Sequence, residues 1–114
     1  MHMNEMPRKT DIPPGTLHML ILKTLSRGSL HGYAIAQQIK HVSDGILQVE
    51  EGSLYPALQR MLVKGWVTAE WVPAGPRRRA RVYHLTPLGR RQLEFEVSDF
   101  NRVIEAIARV IQPA

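Results

Sequence analysis

Apolar residues recur along this chain first at helical spacing, then in alternation, then at helical spacing again. Leu17, Leu20, Ile21 and Leu25 predict a first helix from about Gly15 or Thr16 to Arg27, stopped by Gly28. Ile35, Ala36 and Ile39 predict a second from about His31 to His41, where His31 is expected to help cap it. Ser43-Asp44-Gly45 then supplies turn residues. A third helix is expected within residues 50–65. Leu54, Leu58, Met61 and Leu62, at i, i+4, i+7 and i+8, form its inward face, and Gly65 marks its end. Pro56 is expected in its first turn, where a missing N–H costs little.

The period then falls to two. Trp66 to Val72 alternates Trp66, Thr68 and Glu70 against Val67, Ala69 and Trp71, as a strand does. Pro73-Ala74-Gly75-Pro76 is a turn signal, and Arg81 to Leu85 is the returning strand. Thr86-Pro87 opens a last helix, with threonine as N-cap and proline at the first helical position, continuing to about Ile111. The fold class expected is mainly α with a small two-stranded β wing, a winged helix-turn-helix plus a long C-terminal helix. Residues 1–13, interrupted by Pro7 and Pro13, are expected to be a loose arm. Residues 14–86 would form the winged helix-turn-helix domain and 87–112 the long C-terminal helix.

That last helix carries its own pattern. Leu93, Val97, Phe100, Ile104, Ile107 and Ile111 are spaced 4, 3, 4, 3 and 4, a heptad stripe widened by Val103 and Val110. The stripe can fold back onto the first helix or meet a partner helix. So broad a face on so long a helix favours the partner, most simply the twofold mate in a homodimer, with those six residues at the interface.

Composition narrows the chemistry. The 114 residues suit one domain, and a net charge of +5 favours an anionic partner. There are no cysteines, which removes disulfides, thiolate metal sites and cysteine nucleophiles and agrees with a reducing cytoplasm. No apolar run approaches the roughly 18–20 residues of a membrane span, and Met1 to Pro14 lacks the apolar core of a signal peptide. Acids interleaved on the last helix (Glu94, Glu96, Asp99, Glu105) argue against a membrane-surface helix. The five histidines show no metal-ligand spacing, and His31 and His41 lie ten apart. With no nucleophile elbow, phosphate-binding glycine loop or spaced carboxylate pair, neither an enzyme nor a cofactor is expected.

What remains is basic and polar. Ser53, Tyr55, Gln59, Arg60 and Lys64 occupy the third helix outside its apolar face; an ordinary solvated face would look the same. Gln59 suits adenine, and Arg60 suits guanine or phosphate. Tyr55 either joins them or packs its ring under the wing. Between Glu70 and Glu94 there is no acid but six arginines: Arg77, Arg78, Arg79, Arg81, Arg90 and Arg91. Arginines at a hairpin beside a basic helix suit phosphate and a narrow minor groove, so Arg77, Arg78, Arg79 and Arg81 join the DNA-contact candidates. Lys23 and Lys40 are expected to be plain surface residues. A winged helix that binds a partner protein is the alternative, but it has no need of that arginine cluster.

His31-Gly32-Tyr33, Gly52-Ser53-Leu54-Tyr55-Pro56-Ala57-Leu58, Gly65-Trp66, Trp71 and the run Arg78 to Gly89 together resemble the PadR family of bacterial transcriptional regulators, over roughly residues 14–111. The single C-terminal helix resembles its smaller subfamily. The resemblance implies a homodimeric winged helix-turn-helix that binds palindromic promoter DNA, usually as a repressor, which agrees with the cytoplasmic location that composition favours. It also implies that the third helix does the recognition and the last helix the dimerisation. The family often has two tyrosines in the second wing strand, where this chain has Val82 and Tyr83. Some members sandwich flat hydrophobic drugs between aromatics at the dimer centre; the matching ring here is Phe100, so a small hydrophobic effector is a possible partner.

Overall fold

The computed structural model describes Ile12, Pro13 and residues 15–113; the expected N-terminal arm lies almost wholly outside them. The element order is α1 (Leu17–Ser26), β1 (Leu30–His31), α2 (Gly32–Val42), α3 (Glu51–Val63), β2 (Val67–Pro73), β3 (Arg79–Leu85) and α4 (Pro87–Ile111). The sheet has three strands rather than the expected two, in the order β1-β3-β2. Leu30 and His31 pair with Tyr83 and Val82, and two residues are too few to show an alternation in sequence. The wing hairpin pairs Val67 with Leu85 through to Pro73 with Arg79, so β3 starts two residues earlier than expected.

One core joins the three helices to the base of the wing. Ile21, Leu22 and Leu25 from α1, Ile35, Ala36 and Ile39 from α2, and Leu54, Ala57, Leu58 and Met61 from α3 are buried around Val67, Tyr83 and Leu93. Ala57 lies inside where Leu62 was expected, and Leu62 is only partly buried against the cluster. A small residue there lets α3 approach its neighbours closely, which an apolarity pattern does not register.

Local chemistry sets the ends of the elements. Gly65, at φ +78°, ends α3 in a Schellman motif: its N–H reaches the Leu62 carbonyl and the Trp66 N–H reaches that of Met61. His31 stands at the N-cap of α2 in extended geometry, but its side chain makes no capping bond, contrary to expectation. Because α3 begins at Glu51, Pro56 lies in its second turn rather than its first. The ring therefore removes a hydrogen bond to the Gly52 carbonyl inside the helix.

Thr86 fastens the base of the wing. Its Oγ1 accepts the Gly89 N–H at 3.0 Å, as an N-cap does, and donates to the Gly65 carbonyl at 2.7 Å. Its own N–H reaches the Trp66 carbonyl at 3.1 Å. The end of α3 and the start of α4 are thus tied through one side chain. Gly89 makes this possible: a Cβ there would meet the Trp66 carbonyl oxygen at 2.0 Å.

The stripe on α4 divides. Leu93 is 7% exposed and belongs to the chain's own core, and Val97 packs partly against it. Beyond them Phe100, Ile104, Ile107 and Ile111 are 38%, 46%, 49% and 76% exposed, together with Val103 and Val110.

Candidate nucleic-acid interface

Four buried residues point α3 inward, so at about 100° per residue its outermost line runs through Gly52, Pro56, Gln59 and Val63, all exposed. The expected contact residues flank this line on both sides. Tyr55 leans toward the wing, while Ser53 and Arg60 border a cleft shared with Leu17 of α1. The Lys64 ammonium lies 5.3 Å from the centre of the Trp66 ring, a cation–π contact at the far end of the helix. Gln59 alone of the expected five occupies the centre. Pro56 and Val63 were not singled out because they carry no polar group, yet their outward positions suit thymine methyl groups. A helical projection of α3 was the signal for them.

Tyr55 is fixed by a glycine. A Cβ on Gly32 would meet its Cε1 at 2.8 Å, so the ring lies against the first turn of α2 only because residue 32 has no side chain. Burial, with the Glu51 carboxylate second, raises the Tyr55 pKa above its ordinary 10.0, and the hydroxyl remains a proton donor at neutral pH.

The wing presents its arginines in two ways. Arg77 and Arg78 lie exposed in the turn, where the Ala74 N–H reaches the Arg78 carbonyl and the Arg78 N–H that of Gly75. Arg77 is held at φ +60°, a left-handed conformation that a side chain disfavours. Arg79 and Arg81 instead lie over the Trp71 ring at 5.7 and 5.8 Å. Arg81 is half-buried and also lies 5.8 Å over Tyr83. Among the described residues the ion pairs are His84–Glu70 and Arg102–Asp99, so no carboxylate neutralises the wing arginines.

A second polar centre lies under α3. His18 of α1 meets Trp66 edge to face at 5.7 Å, and its Nε2 is buried without a hydrogen-bond partner among the described residues. Burial, then Arg60, lowers its pKa below 6.5, with Glu96 opposing and Lys64 assisting.

Three helices on a small sheet, with the third helix outward beside an arginine-bearing hairpin, define a winged helix-turn-helix protein. The chain belongs to the family described as the transcriptional regulator PadR-like family, whose pattern matches residues 21–95. It is accordingly a DNA-binding transcription regulator. A PadR family transcription regulator from Clostridium difficile superposes with a TM-score of 0.71 at 27% identity, over 87% of this chain and 100% of that one. A PadR-like regulator from Bacillus cereus gives 0.73 at 25%, over 88% and 95%. A transcriptional regulator from Clostridium thermocellum shares the fold at TM-score 0.80 and 22% identity, over 86% of this chain and 95% of that one. By sequence, an uncharacterised protein of Lysinibacillus sphaericus is 28% identical over 87% of this chain and 91% of its own length. No described helix is long and apolar enough to cross a membrane.

Proposed function

We propose that the chain binds a pseudo-palindromic promoter site as a homodimer and represses transcription there, in the cytoplasm. Each α3 enters a major groove through Gln59 and its neighbours Ser53, Tyr55, Arg60 and Lys64. Arg77, Arg78, Arg79 and Arg81 grip the flanking backbone. The observation that carries this is the pairing of an outward α3 with a wing whose arginines lack acidic partners. The dimer rests on the outward stripe of α4 from Phe100 to Ile111, with Leu93 and Val97 seating the helix on its own domain. Twofold-related recognition helices lie about one DNA turn apart, roughly 34 Å, which calls for matched half-sites. A small flat hydrophobic effector beside Phe100 regulates only if it favours one angle between protomers over another.

The test is a salt titration of binding to DNA selected by the protein from a random pool, beside a variant with Arg77, Arg78 and Arg79 changed to alanine. Specific binding with a log–log salt slope that flattens in the variant, by up to about 0.9 for each phosphate no longer held, supports the reading. Equal, weak binding to selected and scrambled duplex sinks it and moves a protein-binding winged helix to the front.

A further inference from the structure

Between the inner face of the wing and the HTH helices lies a cleft of about 410 Å³ lined by His31, Gly32, Tyr33, Tyr55, Trp71, Ala80, Arg81 and Tyr83. Its chemistry is uneven. The Arg81 guanidinium carbon lies 5.8 Å from the centres of both the Trp71 and Tyr83 rings, and Arg81 Nε is buried with no hydrogen-bond partner among the described residues. Opposite stand the two tyrosines of the helices, both exposed. Gly32 keeps Tyr55 against the start of α2, next to Tyr33. Of this set Tyr83 belongs to the core, whereas Tyr33, Tyr55 and Trp71 are exposed. The core is complete without Tyr33, and the wing does not need an arginine folded inward.

We propose that this cleft seats a single backbone phosphate of duplex DNA, held by Arg81 and by the Tyr33 and Tyr55 hydroxyls. The proposal rests on the DNA-binding reading and adds a discrete contact to it. A duplex that takes α3 in its major groove and the wing along the adjacent minor groove must carry the strand between those grooves over the space between α3 and the wing, where this cleft opens. A half-buried guanidinium in cation–π contact with two rings has lost much of its freedom before binding and still carries its charge. Phenolic hydroxyls add donors without adding charge. The Glu51 carboxylate, which acts on Tyr55 from α3, does not line the cleft. Tyr33 thereby gains a role that charge counting along the sequence does not reveal.

The experiment replaces single phosphates of the selected duplex with uncharged methylphosphonates. Binding is measured by fluorescence anisotropy for the wild type, Tyr33→Phe and Arg81→Gln. Tyr33→Phe deletes one oxygen from an exposed ring and leaves the fold intact; thermal melting checks Arg81→Gln. The expected result is one position per half-site where the modification weakens wild-type binding about 10-fold, as for a hydrogen bond to a charged group. Tyr33→Phe should lose about 3- to 10-fold on natural DNA and be almost indifferent to modification at that position while still responding at others. Specific wild-type binding with no position coupled to Tyr33 or to folded Arg81→Gln overturns the phosphate seat and leaves the DNA reading standing. Failure of the wild type to select any duplex overturns both.

Discussion

Gly89→Ala sets two known effects against each other at one residue. In an open helical position, replacing glycine with alanine is worth up to about 1 kcal/mol of stability. Gly89, however, lies in the first turns of α4 against the backbone of another segment. The added Cβ would lie 2.0 Å from the Trp66 carbonyl oxygen, 2.9 Å from its carbon and 2.8 Å from Leu85 Cδ1. The leucine methyl can turn aside. The carbonyl cannot, because it accepts the Thr86 N–H and belongs to the turn that ends α3. An ordinary carbon–oxygen contact needs about 3.3 Å, so backbone must move by about 1 Å. Overpacking of this kind costs about 1–3 kcal/mol and occasionally more, and backbone on both sides places this case at the upper end. The net expectation is a loss of about 2 kcal/mol. Urea unfolding followed by tryptophan fluorescence measures it, with Trp66 as an adjacent reporter. The internal control is Gly52→Ala in α3, where nothing lies within 4 Å of the added carbon. That variant should unfold at equal or higher urea, yet bind DNA more weakly because its methyl points into the groove. If Gly89→Ala is as stable as the wild type at matched protein concentration, the close seating of α4 on the turn before β2 is wrong.

Phe100→Asp with Ile104→Asp should leave a folded monomer with much weaker operator affinity; a variant that remains dimeric in light scattering refutes the α4 interface. Arg77→Gly should stabilise the hairpin by on the order of 0.5 kcal/mol, because it removes a left-handed arginine. It should also weaken DNA binding at low salt, so thermal shift and affinity move in opposite directions; a fall in melting temperature counts against the strain at Arg77. Stability should decline as pH drops below 6.5. The folded state holds the His18 pKa below that value, so the unfolded chain takes up the proton first and stability is lost as pH falls toward the folded pKa. In His18→Phe that acid limb should flatten, and an unchanged limb would assign it to other groups.

Periodicity made most of the scaffold legible. The inward faces of α2 and most of α3, the Gly65 stop and the Thr86-Pro87 start are short-range signals, decided within one or two turns of chain. What escaped depends on contacts between distant residues. The strand Leu30–His31 exists only because β3 offers it an edge. Leu93 begins the same heptad stripe as Phe100, yet one is core and the other surface; the repeat cannot show where α4 leaves its own domain. Arg81 resembles its neighbours Arg78 and Arg79 in sequence, and its half-burial follows from Trp71 standing directly across the ladder. Polar side chains on α3 and charge on the wing marked the candidate interface, so the apolar Pro56 and Val63 and the α2 residue Tyr33 went unmarked.

The Thr86 clasp has a mechanical consequence. Because Gly65, Trp66, Thr86 and Gly89 are bonded or wedged together, α3 and α4 turn as a single lever. At 1.5 Å per residue, α4 is an arm of about 37 Å. In the proposed dimer, a swing of about 10° at the far end of that arm would carry the reading head roughly 6 Å, nearly two base-pair steps of about 3.4 Å. A small change in how the arms cross is therefore enough to take both heads out of step with their grooves, and no residue that touches DNA has to change its shape.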